Sequence, residues 1–533
     1  MVDSSLSDLN FKSCSNSYMV STYEIAQLFD CDPDEESVVS AVFDYILATE
    51  GESDIKIMER WLALTPERIR REEFIPREYP EIPDQALLEI VEWTRKKNHV
   101  GVARLFTSSH LWNTRNEIIG GRLELFNDPV YVRTVLDEID PSLWEEGTEV
   151  SNIVMEAKRD PAEYMQYVDA YMRLLDSLSE YYTDGIWNLV RTFRQFGIHD
   201  LDEALLTVGS LSSDQLESSI RRYLELTCGS TNQVLRDLGY PLDDHPFYWE
   251  IFWAVRNSEP ALSTEETKIK TIHDVIQTSR YPRIQQTLER GCPLLVLDDE
   301  RRDGHSSHPS TWYVFTGDEH GLGIRISCRS PENPDAAYSK YLFHEAGHAE
   351  HILQLWEEVQ KGRISWIDLK KALVFQLEVF SRLMEGGEVL PSAKDPYGAV
   401  IYGVRQPALQ LYILELMREI FDLSRKKEVL ENHDYVYIEE FAKDSYMGNF
   451  KNLTGIEMDS RRALSEVNIP FIGNPGSYPL ADLIIINMIR YLEQKYGPDY
   501  LDNPHAIREI HEAMRVSPRC RKFEDYQGEG LFI

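Results

Sequence analysis

The chain has 533 residues, 90 of them acidic against 55 lysines and arginines, for a formal net charge of -35. A surface of that sign repels phosphate backbones and anionic lipid, so it argues against nucleic acid and membrane as partners. A content of 42% hydrophobic and 11% aromatic residues supplies a large core. Cysteines occur at 14, 31, 228, 292, 328 and 520, none in a C-x-x-C, which argues against a disulfide scaffold and a thiolate metal site.

Met1–Tyr18 lacks a signal-peptide core, and no apolar run is long enough to span a bilayer. The expectation is a soluble cytoplasmic protein with reduced thiols. Residues 1–20 are Ser-rich and polar. From Thr22 the apolar period is helical, with short amphipathic helices expected over Val38–Leu47 and Asp54–Leu64, the second capped by Ser53. The proline-dotted stretch Phe74–Pro83 reads as extended, and Asp84–Lys97 resumes a helix. Asp160-Pro161 opens a long helical segment, Ala162–Phe196, whose aromatic stripe suits a core. Asp214–Leu226 and Thr231–Leu238 continue the pattern, and helices run to about Arg290.

The character changes after Gly291. Pro293–Leu297, Thr311–Thr316 and Leu322–Cys328 are short, apolar or alternating, and read as strands. Helices return over Trp366–Glu385, Gly398–Leu423, Tyr435–Phe450, Leu480–Tyr496 and Pro504–Arg515. The expected fold is mainly α: a two-lobed helical body with a deep groove and a small antiparallel sheet. Residues 1–290 would form a groove wall and lid, and 291–533 the catalytic half.

Directly after the strands comes Tyr338–Ile352, YSKYLFHEAGHAEHI, which holds an H-E-x-x-H. Residues four apart share one face of a helix, so His344 and His348 can grip one zinc ion. Glu345 then stands beside the open coordination position, where it can take a proton from water. Gly347 costs the helix about 1 kcal/mol against alanine, and close approach of another backbone is one reason to keep it.

A catalytic zinc takes a third protein ligand. His351, one turn beyond His348, would strain the geometry, and a packing or outer-shell role suits it better. Carboxylates within reach by spacing are Glu357, Glu358, Asp368, Glu378, Glu385 and Glu388. Glu378 stands out because it lies in an apolar setting, LVFQLEVFSRLMEGG, where a lone carboxylate is expensive without a cationic partner. Glu385, two turns on, shares its face and could orient a ligand imidazole.

Glu378-Val-Phe-Ser381-Arg382-Leu-Met-Glu385 resembles the E-x-x-S-R-L-x-E third-ligand helix of the carboxypeptidase Taq family. His344 to His351 is similar to the H-E-x-G-H-x-x-H of the thimet oligopeptidase and oligoendopeptidase F group. Upstream, His308-Pro309-Ser310 and Gly323-Ile324-Arg325-Ile326-Ser327 resemble the H-P-F and D-x-R-x-T of the carboxypeptidase Taq family, with Gly323 and Ser327 departing from the pattern. Gly476–Leu480 is loosely similar to the segment carrying the active-site tyrosine.

The resemblance implies a zinc peptidase of glutamate-ligand type with His344, His348 and Glu378 on the metal and Glu345 as base. It puts Tyr478 first as oxyanion donor, ahead of Tyr402, Tyr435 and Tyr437. Arg325, on an active-site edge strand in that family, would pair with a peptide carboxylate, and His308 would line the substrate groove. Arg405, in the turn-like Tyr402–Pro407, is a further candidate for the carboxylate. The expected activity is a metallocarboxypeptidase acting on short or unfolded peptides. An oligoendopeptidase, or a non-catalytic relative whose groove binds a partner, is the alternative, and a homodimer stays open.

Overall fold

The structure is a computed structural model that describes residues 21–532 apart from 62–81, 83, 98–99, 127, 136–159, 209–210, 241–244, 259–270, 291–294, 301–308, 316–321, 329–335, 366–367, 370–376, 386–395, 468–476 and 521. His308, the serine-rich start and nearly all of the Phe74–Pro83 stretch lie outside the described residues.

The first helices are α1 (Thr22–Phe29), α2 (Glu35–Trp61), α3 (Asp84–Lys96), α4 (Val100–Phe126) and α5 (Pro129–Val135). α2 joins what the sequence reads as two helices, so Ser53 is an interior residue and not a cap. Its buried Val38, Val42, Ile46 and Leu47 give tertiary packing that outweighs the cost of Gly51. Next come α6 (Pro161–Ser177), α7 (Ser179–Gln195), α8 (Leu201–Val208), α9 (Ser213–Asp237), α10 (Tyr248–Ser258), α11 (Ile272–Ile276) and α12 (Pro282–Glu289). Asp160 caps α6 through Ala162 N at 3.0 Å, with Pro161 at the first helical position. The expected single segment to Phe196 divides at Leu178, whose φ and ψ of -100° and 11° depart from helix geometry. Conversely, α9 runs unbroken through Gly229, which faces open space.

Strands β1 (Leu295–Asp298), β2 (Ser310–Phe315) and β3 (Leu322–Ser327) form one sheet in the order β1-β3-β2. β1 runs parallel to β3 (Val296 opposite Arg325) and β2 antiparallel to it (Thr311 opposite Ile326). The sheet is therefore mixed, not antiparallel, and β3 is its central strand. Every residue of β3 is buried, as a strand covered on both faces must be.

The second half continues with α13 (Ala336–Gln360), α14 (Leu377–Glu385), α15 (Pro396–Val400), a π-helical turn over Ile401–Arg405, α16 (Gln406–Lys426) and α17 (Asn432–Thr454). It ends with α18 (Ala463–Val467), α19 (Ser477–Tyr496), α20 (Pro504–Val516) and α21 (Phe523–Gly528). One cluster of buried apolar side chains extends from Phe43 to Phe532 and takes in both sides of position 290. Among the described residues no helix is long and apolar enough to cross a membrane.

Candidate metal centre

α13 carries His344 and His348 one turn apart, and α14 crosses it at Gly347. A Cβ on Gly347 would lie 2.7 Å from Ser381 Cα, so the close approach inferred from the sequence is a backbone contact with α14. That contact brings Glu378 to the two imidazoles. We expect Gly347→Ala to push the helices apart and cost about 1–3 kcal/mol in denaturant unfolding, with weakened metal binding alongside.

His344 Nε2 lies 3.0 Å from His348 Nε2 and 3.4 Å from Glu378 Oε2, and His348 Nε2 lies 3.8 Å from Glu378 Oε1. Metal–ligand bonds of about 2.0–2.1 Å in a tetrahedron place donor atoms about 3.3 Å apart. The three donors therefore converge at the spacing a small cation needs. Glu378 Oε2 is buried and makes no hydrogen bond, which leaves a lone pair for such an ion. Two imidazoles and a carboxylate also match the ligand chemistry of zinc.

Electrostatics point the same way. Burial opposes charge on His344, but Glu378 and Glu385 outweigh it and push the imidazole up to about 10. Burial drives His348 the other way, down to about 4, against the pull of Glu378. Burial also opposes charge on Glu378, yet His348 and His344 hold its carboxyl down at about 2. The carboxylates thus draw positive charge into the site, onto His344 where no cation is bound, while burial keeps His348 neutral. Glu385 Oε2 stands 3.4 Å from His344 Nδ1, on the side away from the shared centre. It can hold the ring so that Nε2 presents its lone pair inward.

Glu345 is tied to β2 through its backbone: the Thr311 hydroxyl donates to the Glu345 carbonyl at 2.8 Å. Burial pushes its carboxyl up to about 7, against the opposing effects of His344 and Thr311. A buried carboxylate whose proton affinity sits near neutrality is suited to general acid–base work.

The remaining sequence candidates fall elsewhere. Arg325 is not on an edge strand and does not face substrate: it is 1% exposed and bonds Asp298 Oδ2 at 2.7 Å. The central position of β3 buries it, and Asp298 on β1 supplies its counter-charge. Arg325→Ala, which strands that carboxylate, is expected to cost about 3–5 kcal/mol in urea unfolding. Arg405 is likewise committed, bonding both Glu466 oxygens at 2.8 and 3.0 Å from the π turn. His351 bonds Ser517 Oγ at 2.9 Å and packs on Phe380, so its role is in the core. Tyr478 lies in the first turn of α19, and its side chain is outside the described ones. Tyr435 donates to Asp184 and Tyr437 to Glu419, which removes both as oxyanion donors.

Three supporting groups escaped the sequence reading. Glu350, on α13 and fully buried, accepts the backbone N–H groups of Arg283 and Ile284 at 3.1 Å each, capping α12. Tyr281 donates to the Phe343 carbonyl at 2.8 Å, next to the first ligand. Asp482 on α19 accepts from Arg382 of α14 at 3.1 Å, tying the ligand helix to the helix of Tyr478. Pro282, at the first position of a helix, was the signal that an acceptor such as Glu350 was needed.

A helical body, a small sheet, and an H-E-x-x-H helix crossed by a glutamate helix define the class of this chain by architecture. No family model and no curated protein matches the sequence. Two of the solved structures similar to this chain share its fold at TM-scores above 0.5. One is an oligoendopeptidase F, at TM-score 0.56 and 11% identity over 96% of this chain and 92% of that one. The other is PZ peptidase A with an inhibitor, at TM-score 0.54 and 11% identity over the same shares. The M32 carboxypeptidase from Deinococcus radiodurans R1 aligns at TM-score 0.43 and 12% identity over 91% of each chain.

Proposed function

We propose that the chain is a zinc-dependent peptidase that cuts within short or unfolded peptides. The observation that carries the reading is the convergence of His344, His348 and Glu378 on one point, with the buried carboxyl of Glu345 beside them. When bound there, zinc would polarise a carbonyl and make water more acidic. Glu345 accepts the proton of the attacking water and returns it to the departing amine. Glu385 keeps His344 in the tautomer the site requires. Tyr478, at the start of α19, is the candidate donor to the developing oxyanion.

The internal-cutting preference rests on Arg325 and Arg405. These are the arginines the resemblance and the sequence single out for a terminal carboxylate, and both are paired with internal acids. A carboxypeptidase needs such an anchor, whereas an endopeptidase does not. Digestion of a mixed peptide library by the zinc-loaded protein, read by mass spectrometry, tests this. Internal cuts that vanish with a chelator and return with zinc are expected. Stepwise loss of C-terminal residues alone would restore the carboxypeptidase reading. No cleavage of any peptide by the loaded protein would favour a groove that only binds a partner.

A further inference from the structure

α20 presents Arg508, His511 and Arg515 along one face, opposite Ser279 and Pro282 at the turn into α12. Between them lies a cavity of about 230 Å³, with no acidic side chain among its lining residues. That is notable in a chain with 90 acidic residues, where arginine is otherwise readily paired: Arg283 with Glu357, Arg363 with Glu358, Arg382 with Asp482. Arg508 instead meets only the ring nitrogen of His505 at 2.6 Å, and Arg515 Nε bonds the amide oxygen of Gln354 at 2.9 Å. Among the described residues neither guanidinium forms an ion pair with a carboxylate. Two guanidinium groups without a direct carboxylate contact thus line one solvent-reaching cavity beside Ser279, Arg515 feeling the Glu357 carboxylate only at longer range.

We propose that this cavity binds a small phosphate-type oxyanion between Arg508 and Arg515. Guanidinium groups offer paired N–H donors that match phosphate oxygens. The volume exceeds that of a single water many times over, which leaves room for an organic substituent on the phosphate. His511 shapes the floor, its Nε2 donating to the Arg280 carbonyl at 3.2 Å and lying 3.6 Å from Glu350 Oε1, so that carboxylate sits behind the imidazole. The site is also joined to the metal helix. Arg515 holds Gln354, Gln354 donates to Glu350 at 2.9 Å, and Glu350 caps α12 from two residues beyond His348. An anion on Arg515 therefore braces the junction of α12, α13 and α20. The inference shares no residue with the peptidase reading and stands without it.

Calorimetric titration of the metal-loaded full chain with inorganic phosphate tests it, against sodium chloride at matched ionic strength. Saturable binding of one phosphate per chain and a raised Tm are expected. Arg508→Gln and Arg515→Gln should each weaken binding about tenfold or more. Arg508 is exposed, so its variant keeps the wild-type Tm in chloride and decides the matter even if Arg515→Gln folds poorly. Phosphoserine as a second titrant separates the sources: tighter binding than phosphate assigns the site to a phosphate monoester, and weaker binding to free phosphate. Absence of saturable binding overturns the proposal. Phosphate affinity unchanged in both variants also overturns it, because the ion would then sit elsewhere, the metal centre included.

Discussion

Glu345→Gln is expected to keep one metal ion per chain and to lower kcat by about 10²–10⁴-fold. Glutamine has the shape of glutamate but cannot accept the proton of an attacking water. Glu345 is not one of the three converging donors, so the metal has no reason to leave. Burial pushes its carboxyl up to about 7, with His344 and Thr311 opposing that rise. A cation in the site adds to the opposition, so the working value falls below 7. The reaction needs the carboxylate form, and activity should therefore decline as pH drops through that value. The variant should lack this acid limb, because its amide does not titrate. Metal content by elemental analysis and a pH profile of kcat/KM together check the assignment. A variant within tenfold of wild type would sink Glu345 as the base.

The metal half of this site was legible because its signals are local. Four-residue spacing places His344 and His348 on one face by helix geometry alone, and Gly347 is an anomaly that only a close neighbour explains. Glu378 was legible for a similar reason: a carboxylate amid Leu377, Val379 and Phe380 demands a partner. The failures were of another kind. Arg325 in an alternating strand reads the same whether the strand lies at the edge or the centre. Only the order β1-β3-β2, fixed by pairing between segments that lie apart in the chain, buries it against Asp298. Arg405 was lost to Glu466, 61 positions on, a separation no periodicity reveals. Helix boundaries failed where packing overrode local cost, as at Gly51 in α2, or where the chain turned without a proline or glycine, as at Leu178.

Glu378→Ala should take the zinc away altogether. Loss of an outer-shell partner typically weakens a metal site 10–100-fold, and removal of a direct ligand should exceed that, so affinity is expected to fall by more than about 100-fold. The physical ground is charge as well as geometry. Glu378 is the one anion among the three donors, and without it a dication would rest on two neutral imidazoles in a buried setting. Zinc should accordingly raise the Tm of the wild type and leave that of the variant unmoved, since a ligand stabilises only the state it binds. The metal-free proteins carry a second signature. The Glu378 carboxyl is held at about 2 by His348 and His344 against a burial effect of opposite sign. A depressed carboxyl contributes stability that is present above its unfolded value of 4.5 and is lost as pH falls towards 2. The stability gap between metal-free wild type and Glu378→Ala should therefore narrow over that window. Glu385→Gln, which alters only the support behind His344, should retain zinc with a loss confined to the 10–100-fold range. Unchanged zinc stoichiometry in Glu378→Ala, or a larger loss in Glu385→Gln, would reverse the roles assigned to the two glutamates.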